Sequence, residues 1–179
     1  MLVLDAYAFF HRLLDVVQLL LVAEPNTDVV VMAQHICEFN LCLRRNEIAR
    51  TKTRVHVPSL ADFEVDGRCV VHKGANKGDK DHTVRDAFQK VSLFPEDVTN
   101  SLLRLCFAYP HICDEIYDDQ QRNSKWVFAN WTRVMDAYGI SDLIDDPRYP
   151  LQPRSFRSLG ASYLGQVDTS HLFVDSSSA

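Results

Sequence analysis

The chain has 179 residues, 46% hydrophobic and 24% charged, and carries a formal net charge of −5. That length suits one domain with a sizeable core, and the composition excludes a disordered, collagen-like or disulfide-dense chain. Five cysteines (37, 42, 69, 106, 113) without a CxxC pair predict reduced thiols in a cytosol-like compartment.

The first segment, "MLVLDAYAFFHRLLDVVQLLLVAEP", is apolar but interrupted by Asp5, His11, Arg12, Asp15 and Gln18. It falls short of the ~18 apolar residues a membrane span needs. A core helix over 4–22 is expected instead, with Phe10, Leu13 or Leu14, Val17 and Leu21 facing inward. The expectation is a cytoplasmic protein with no signal peptide and no membrane partner. "EPNT" (24–27) reads as a turn with Thr27 as helix cap. The next helix places Val29, Ala33, Ile36, Asn40 and Leu43 on one stripe and runs toward Arg50.

The period then changes. "TRVHVPSL" (53–60) reads as extended, and Pro58 argues against a central strand. In "DFEVDGRCVV" (62–71), alternating residues flank Asp66-Gly67, the chemistry of a type I′ hairpin. The glycine- and lysine-containing stretch "HKGANKGDKDHTVRD" (72–86) follows as a loop. Its Gly74 and Gly78 lack phosphate-loop spacing, no Ser or Thr follows Lys80, and aspartates occupy the place of the anion.

A third helix is predicted over about 83–93, with Val84, Ala87 or Phe88, and Val91 inward. A fourth starts at "FPEDV", where Pro95, Glu96 and Asp97 suit a helix start and Phe94 can staple on Val98. Its expected stripe is Val98, Leu102, Leu105 and Cys106. A fifth opens at Pro110, and a sixth spans 124–138 with Val127, Trp131, Val134 and Tyr138 inward, stopped by Gly139. One more helical turn is expected in "SDLIDD" (141–146). "PRYPLQPRSFR" (147–157) has three prolines within seven residues and is expected to lack regular structure. The remainder reads as a tail anchored by Tyr163, Leu164, Leu172 and Phe173. The expected fold is thus mainly α: a single-domain helical bundle of about six helices over 1–146, with one small β-hairpin near 62–71. An extended Pro/Arg-containing C-terminal arm and Ser-rich tail are expected over 147–179.

Charge is unevenly placed. Residues 44–90 hold 11 basic and 7 acidic side chains, whereas residues 91–179 hold 7 basic and 12 acidic. The middle of the chain is therefore where an anionic partner is favoured. "RRNEIARTKTR" supplies Arg44, Arg45, Arg50, Lys52 and Arg54, and the loop after the hairpin adds Lys73, Lys77 and Lys80. These eight are the candidate nucleic-acid-binding residues, since guanidinium and ammonium groups hold phosphates without reading sequence. No aromatic stacking platform is interleaved among them in the sequence.

Two acidic clusters offer a different chemistry. Asp114 with Asp118, and Glu115 with Asp119, are spaced i, i+4, and Asp142, Asp145 and Asp146 follow. Paired helical carboxylates can hold Mg²⁺ for phosphohydrolysis, the alternative enzymatic reading. Cys69 and His72, with His56 and His82, have the composition of a zinc site, but residues three apart on a strand point to opposite faces. Cys106, with Cys113 and His111, is expected to be an inert core thiol on the fourth helix.

Two N-terminal helices lead through a basic segment into "TRVHVPSLADFEV", and a serine-rich tail follows "RSFRSLG". This plan resembles the coat proteins of rod-shaped plant RNA viruses over about a third of the chain. "FANWTRV" (128–134) is similar to a segment of flexible filamentous virus coat proteins. The hairpin and the Gly/Lys loop depart from that plan, and no residue role is carried over. The resemblance implies self-assembly around RNA. The leading expectation is therefore a non-enzymatic, self-assembling capsid or nucleocapsid-type protein, a homo-oligomer that binds RNA through its basic middle. No cofactor, resident metal or small-molecule substrate is expected. A protein–protein interaction module using residues 147–179 is the third reading.

Overall fold

The computed structural model describes residues 6–49, 57–73, 88–108, 124–141 and 151–167. Within them the protein is mainly helical. Five helices of twelve to seventeen residues and one single-turn helix pack with a three-stranded antiparallel sheet.

Helix α1 (Ala6–Val22) buries Ala6, Phe9, Leu13, Val16, Val17 and Leu20. The buried face is rotated from the expected one: Phe10 is half-buried and Leu21 is 43% exposed. Apolar residues lie on more than one side of this helix, so periodicity alone left the choice open. Packing decided it, because Phe9 meets Phe39 and Phe156 at centroid distances of 5.8 and 5.4 Å.

Helix α2 (Thr27–Leu41) is the centre of the fold. Its cap is Asn26 rather than Thr27: the Asn26 Oδ1 accepts the Val29 N–H at 3.0 Å. Every residue from Val29 to Leu41 is buried, because α1 and three later helices surround it. It does not continue toward Arg50. Cys42 adopts a left-handed conformation, φ 52°, and closes the helix. A separate single-turn helix, α3 (Arg45–Ile48), follows, with the Glu47 carboxylate accepting the Arg44 N–H at 2.7 Å.

The hairpin forms as expected between β1 (Phe63–Asp66) and β2 (Cys69–His72). Asp66 pairs with Cys69, so the two-residue loop is Gly67-Arg68, one position later than predicted. Gly67, at φ +60°, takes the first central position, which a type II′ turn reserves for glycine. Its N–H donates to the Glu96 carboxylate at 3.1 Å, tying the turn to the next helix.

The third predicted helix is where the sequence reading fails. Phe88–Val91 is a strand, β3, paired antiparallel with β2 in the order β1-β2-β3. A short apolar run is ambiguous between helix and strand, and the exposed edge of the hairpin resolves it by supplying hydrogen-bond partners. Residues 83–87 lie outside the described residues.

Helix α4 (Glu96–Phe107) starts directly after Pro95 as expected and buries Thr99, Leu102, Leu103 and Cys106. Its start is fixed by α2. The Asn40 Oδ1 accepts the N–H groups of Leu93 and Phe94 at 2.7 and 2.8 Å, and the Asn40 Nδ2 donates to the Thr99 hydroxyl at 3.0 Å. Helix α5 (Ser124–Ala137) ends before Gly139, whose φ of +68° explains the stop. It buries Trp131, Val134 and Met135.

The segment read as an extended arm instead contains helix α6 (Ser155–Gln166). Its start lies beyond Pro153, and Phe156, Leu159 and Gly160 face α2. A Cβ on Gly160 would lie 2.1 Å from the Phe39 carbonyl oxygen, so only glycine permits this approach of two backbones. Tyr163 and Leu164 pack against the core as anchors, while Leu172 and Phe173 lie outside the described residues. Among the described residues no helix is long and apolar enough to cross a membrane.

Candidate functional site

The basic residues singled out from the sequence have different fates. Arg50, Lys52, Arg54, Lys77 and Lys80 lie outside the described residues. Lys73 pairs with Glu64 across the hairpin, both exposed. Arg44 is half-buried just past the C-terminal end of α2.

Arg45 turns inward. Its Nη1 donates to Glu38 Oε1 at 2.7 Å and its Nη2 to Gln34 Oε1 at 3.3 Å. The second Glu38 oxygen lies 3.0 Å from His35 Nδ1, and Trp131 Nε1 lies 3.0 Å from His35 Nε2. An indole N–H can only donate, so His35 Nε2 is an acceptor and Nδ1 carries the proton given to Glu38. His35 is thus a neutral imidazole held between an acceptor and a donor, 1% exposed. Burial lowers its pKa, against the pull of Glu38. Burial pushes the Glu38 carboxyl up, but Arg45 and His35 outweigh it, and the net direction is down. Although a carboxylate and a histidine stand in contact, the lone pair a general base would use is occupied by Trp131. The network is a buried structural link from α2 to α3 and α5.

The fold brings three further cations to the C-terminal end of α2: the sequence singled out neither Lys90 nor Arg68, and Arg157 only as part of the Pro/Arg arm, where a rigid linker was the favoured reading and RNA or partner binding the other. Arg157, on α6, donates from Nε to the Cys42 carbonyl at 3.1 Å. Lys90, opposite Val70 on β3, lies close enough to act on the Cys42 thiol. Burial raises that thiol's pKa, and Lys90 and Arg157 work against it. Arg68, in the hairpin loop, donates from Nη1 to the carbonyls of Ser92 and Leu93 at 3.4 and 3.1 Å. The negative end of the helix dipole favours cations here. The signal for Arg157 was present: Phe156, Leu159 and Tyr163 follow the last proline at helical spacing. Lys90 and Arg68 had none, because the β2–β3 pairing that aligns them is not local.

A second surface feature lies where the C-terminal end of α1 approaches α4. Leu19, Leu21 and Val22 are 58, 43 and 83% exposed. Beside them is an open groove of about 410 Å³ lined by Leu20, Leu21, Ala23, Pro25, Ser101, Arg104, Leu105 and Ala108.

The other candidates resolve in part. On β2, Val70 and His72 face inward while Cys69 and Val71 sit on the half-exposed side, so Cys69 and His72 do diverge. Cys106 is a fully buried thiol whose Sγ lies 3.7 Å from that of Cys37. Among the described residues no three His, Cys, Asp or Glu side chains are grouped to hold a metal. His56, His82, His111, Cys113 and both acidic clusters lie outside them.

Comparison with protein-family models, curated proteins and solved structures gives no match for this chain. The chain is a mainly α protein built around one buried helix, with a three-stranded antiparallel sheet beside it.

Proposed function

We propose that the protein is a non-enzymatic, self-associating helical protein that binds RNA through its basic middle, in the manner of a viral coat or nucleocapsid protein. The observation that carries this reading is the convergence of cations at one end of α2. In a chain of net charge −5, Arg44, Lys90 and Arg157 come from separate segments to the same corner. Arg50, Lys52 and Arg54 follow Arg44 in sequence and make its segment strongly basic. A surface that concentrates positive charge on an acidic protein favours a polyanion, and a mixture of Arg and Lys suits phosphates. Self-association is supported by the exposed end of α1. Burying Leu19 and Val22 against a second copy contributes about 2 kcal/mol for each side chain, and large exposed aliphatics beside a groove mark interaction sites.

Size-exclusion chromatography with light scattering, with and without RNA at two salt concentrations, tests both halves. The expected result is a concentration-dependent oligomer that Leu19→Lys/Val22→Lys returns to monomer, with RNA affinity steeply salt-dependent. A site neutralising about four phosphates of a single strand loses about 50-fold in affinity for a fourfold rise in salt. A strictly monomeric protein with no salt-sensitive RNA binding overturns the reading.

A further inference from the structure

Cys37 of α2 and Cys106 of α4 are thiols, each 0% exposed, and their Sγ atoms lie 3.7 Å apart. In the chain they are separated by 69 positions. The pairing of the two helices is pinned one turn along α2 from Cys37. There Asn40 accepts the N–H groups of Leu93 and Phe94 at 2.7 and 2.8 Å and donates to the Thr99 hydroxyl at 3.0 Å. Ala33, Ile36, Leu102 and Leu103, within about a turn of the two cysteines, are buried in the same core. A close-packed interior therefore holds the two sulfurs in contact, in a fixed register of α2 on α4.

Joining the sulfurs requires them to close from 3.7 Å to the ~2 Å of an S–S bond. Rotation about the two Cα–Cβ bonds moves them toward one another without breaking either helix. Burial keeps large reagents away from both thiols, but hydrogen peroxide is small and uncharged and enters through local opening of the core. Reaction is then slow to begin and quick to finish, because the second thiol already touches the first.

We infer that Cys37 and Cys106 form a disulfide on oxidation by hydrogen peroxide, and that this bond staples α2 to α4. In the first step one thiol sulfur attacks a peroxide oxygen, giving a sulfenic acid and releasing one water. The second thiol then attacks the sulfenic sulfur: the S–S bond forms, the S–O bond breaks and a second water leaves. Two electrons pass from the sulfurs to the peroxide, and both thiol protons end in water. Contact between the sulfurs favours this capture over further oxidation to sulfinic acid. The bond closes a loop that contains α3 and the whole sheet, so it restricts the unfolded chain strongly. In a reducing compartment the pair stays as thiols, and the staple forms on exposure to oxidant. The inference is independent of RNA binding and of self-association.

The test treats the full chain with hydrogen peroxide and stops the reaction with catalase. Remaining thiols are blocked with N-ethylmaleimide in denaturant, and the peptides are mapped by mass spectrometry. A linked Cys37–Cys106 peptide is expected, lighter than its two reduced parts by two hydrogens. Calorimetry of the oxidised chain is expected to show Tm raised by about 10 °C, and dithiothreitol to return it to the reduced value. Cys106→Ala removes one sulfur and is expected to lose both the linked peptide and the rise in Tm. If that variant does not fold, the wild-type peptide map and the dithiothreitol reversal decide. Linkage found only at Cys42, Cys69 or Cys113, only between chains, or only after denaturant has opened the fold overturns the inference. So does a map in which Cys37 and Cys106 are both still blocked by maleimide, or carry sulfinic acids without a linked peptide. A linked chain that melts no higher than the reduced one overturns the staple as well.

Discussion

Helices α1 and α2 are neighbours of similar length, 17 and 15 residues, in opposite situations. In α1 the polar residues His11, Arg12, Asp15 and Gln18 are all exposed, as in an ordinary surface helix, yet Leu19, Leu21 and Val22 are exposed with them. In α2 nothing from Val29 to Leu41 reaches solvent, yet Gln34, His35, Glu38 and Asn40 lie in the same interior. Each helix carries residues that its surroundings must justify. The polar groups of α2 are justified within the chain, by Arg45, Trp131, Ser92 and Thr99. The apolar groups at the end of α1 have no such justification within the described residues, which is why the proposed self-association is sought there. Buried polar groups must find hydrogen-bond partners, whereas exposed apolar ones are tolerated until an assembly covers them.

The sharpest way to break α2's side of this contrast is Arg45→Ala. It leaves the buried Glu38 carboxylate uncompensated and is expected to cost about 3 kcal/mol, the lower end for a buried pair because Arg45 is 28% exposed. That corresponds to a fall in melting temperature of roughly 6–12 °C for a chain of this size, read by calorimetry. The double variant Glu38→Gln/Arg45→Met, which removes both charges together, is expected to lose less than Arg45→Ala alone.

Gly160→Ala comes next. The added methyl meets the Phe39 carbonyl, a backbone atom that cannot swing aside, so a loss of about 2 kcal/mol is expected in denaturant unfolding. A loss no larger than that of a surface substitution would mean that α6 does not pack on α2 as described.

The pH dependence of stability is a third measurement. His35 has a lowered pKa in the folded protein, so the unfolded chain binds protons first as pH falls. Stability from this group is complete above its ordinary value of 6.5 and declines as pH drops below it toward the folded value. Glu38, also lowered, adds a loss below its ordinary value of 4.5. His35→Gln can still accept from Trp131 and donate to Glu38, yet does not titrate. The wild-type-minus-variant stability is expected to fall as pH drops below 6.5.

The smallest effect is expected at the start of α2, where Arg133 of α5 holds Asp28 with two hydrogen bonds of 2.8 and 2.7 Å. The bond to Arg133 lowers the Asp28 carboxyl, so the pair is intact at neutral pH and is lost only as acid protonates it. Asp28→Asn is expected to cost less than about 1 kcal/mol and to shrink further in high salt, because both partners are largely solvated.

Much of the local structure was legible because its causes are local. The α1 pattern, the hairpin glycine, Pro95 before α4 and Gly139 after α5 each act within a few residues. The failures share one cause. β3 is a strand because β2 lies beside it, and α6 is packed because Gly160 meets Phe39 across more than a hundred residues. The candidate site follows the same division. Arg44 and Arg45 were visible as a pair, but the sequence could not say that Arg45 faces a buried carboxylate while Arg44 remains at the corner.

The sequence by itself therefore determined a largely helical chain with a hairpin, and a positive middle in an acidic whole, since composition, period and turn chemistry are written residue by residue. The tertiary structure alone decided that Tyr7 and Tyr163, from opposite ends of the chain, stack together. It likewise decided that Arg157 meets the Cys42 carbonyl and Arg68 those of Ser92 and Leu93. Proximity between distant residues follows from which surfaces bury one another, and no single stretch of sequence records it.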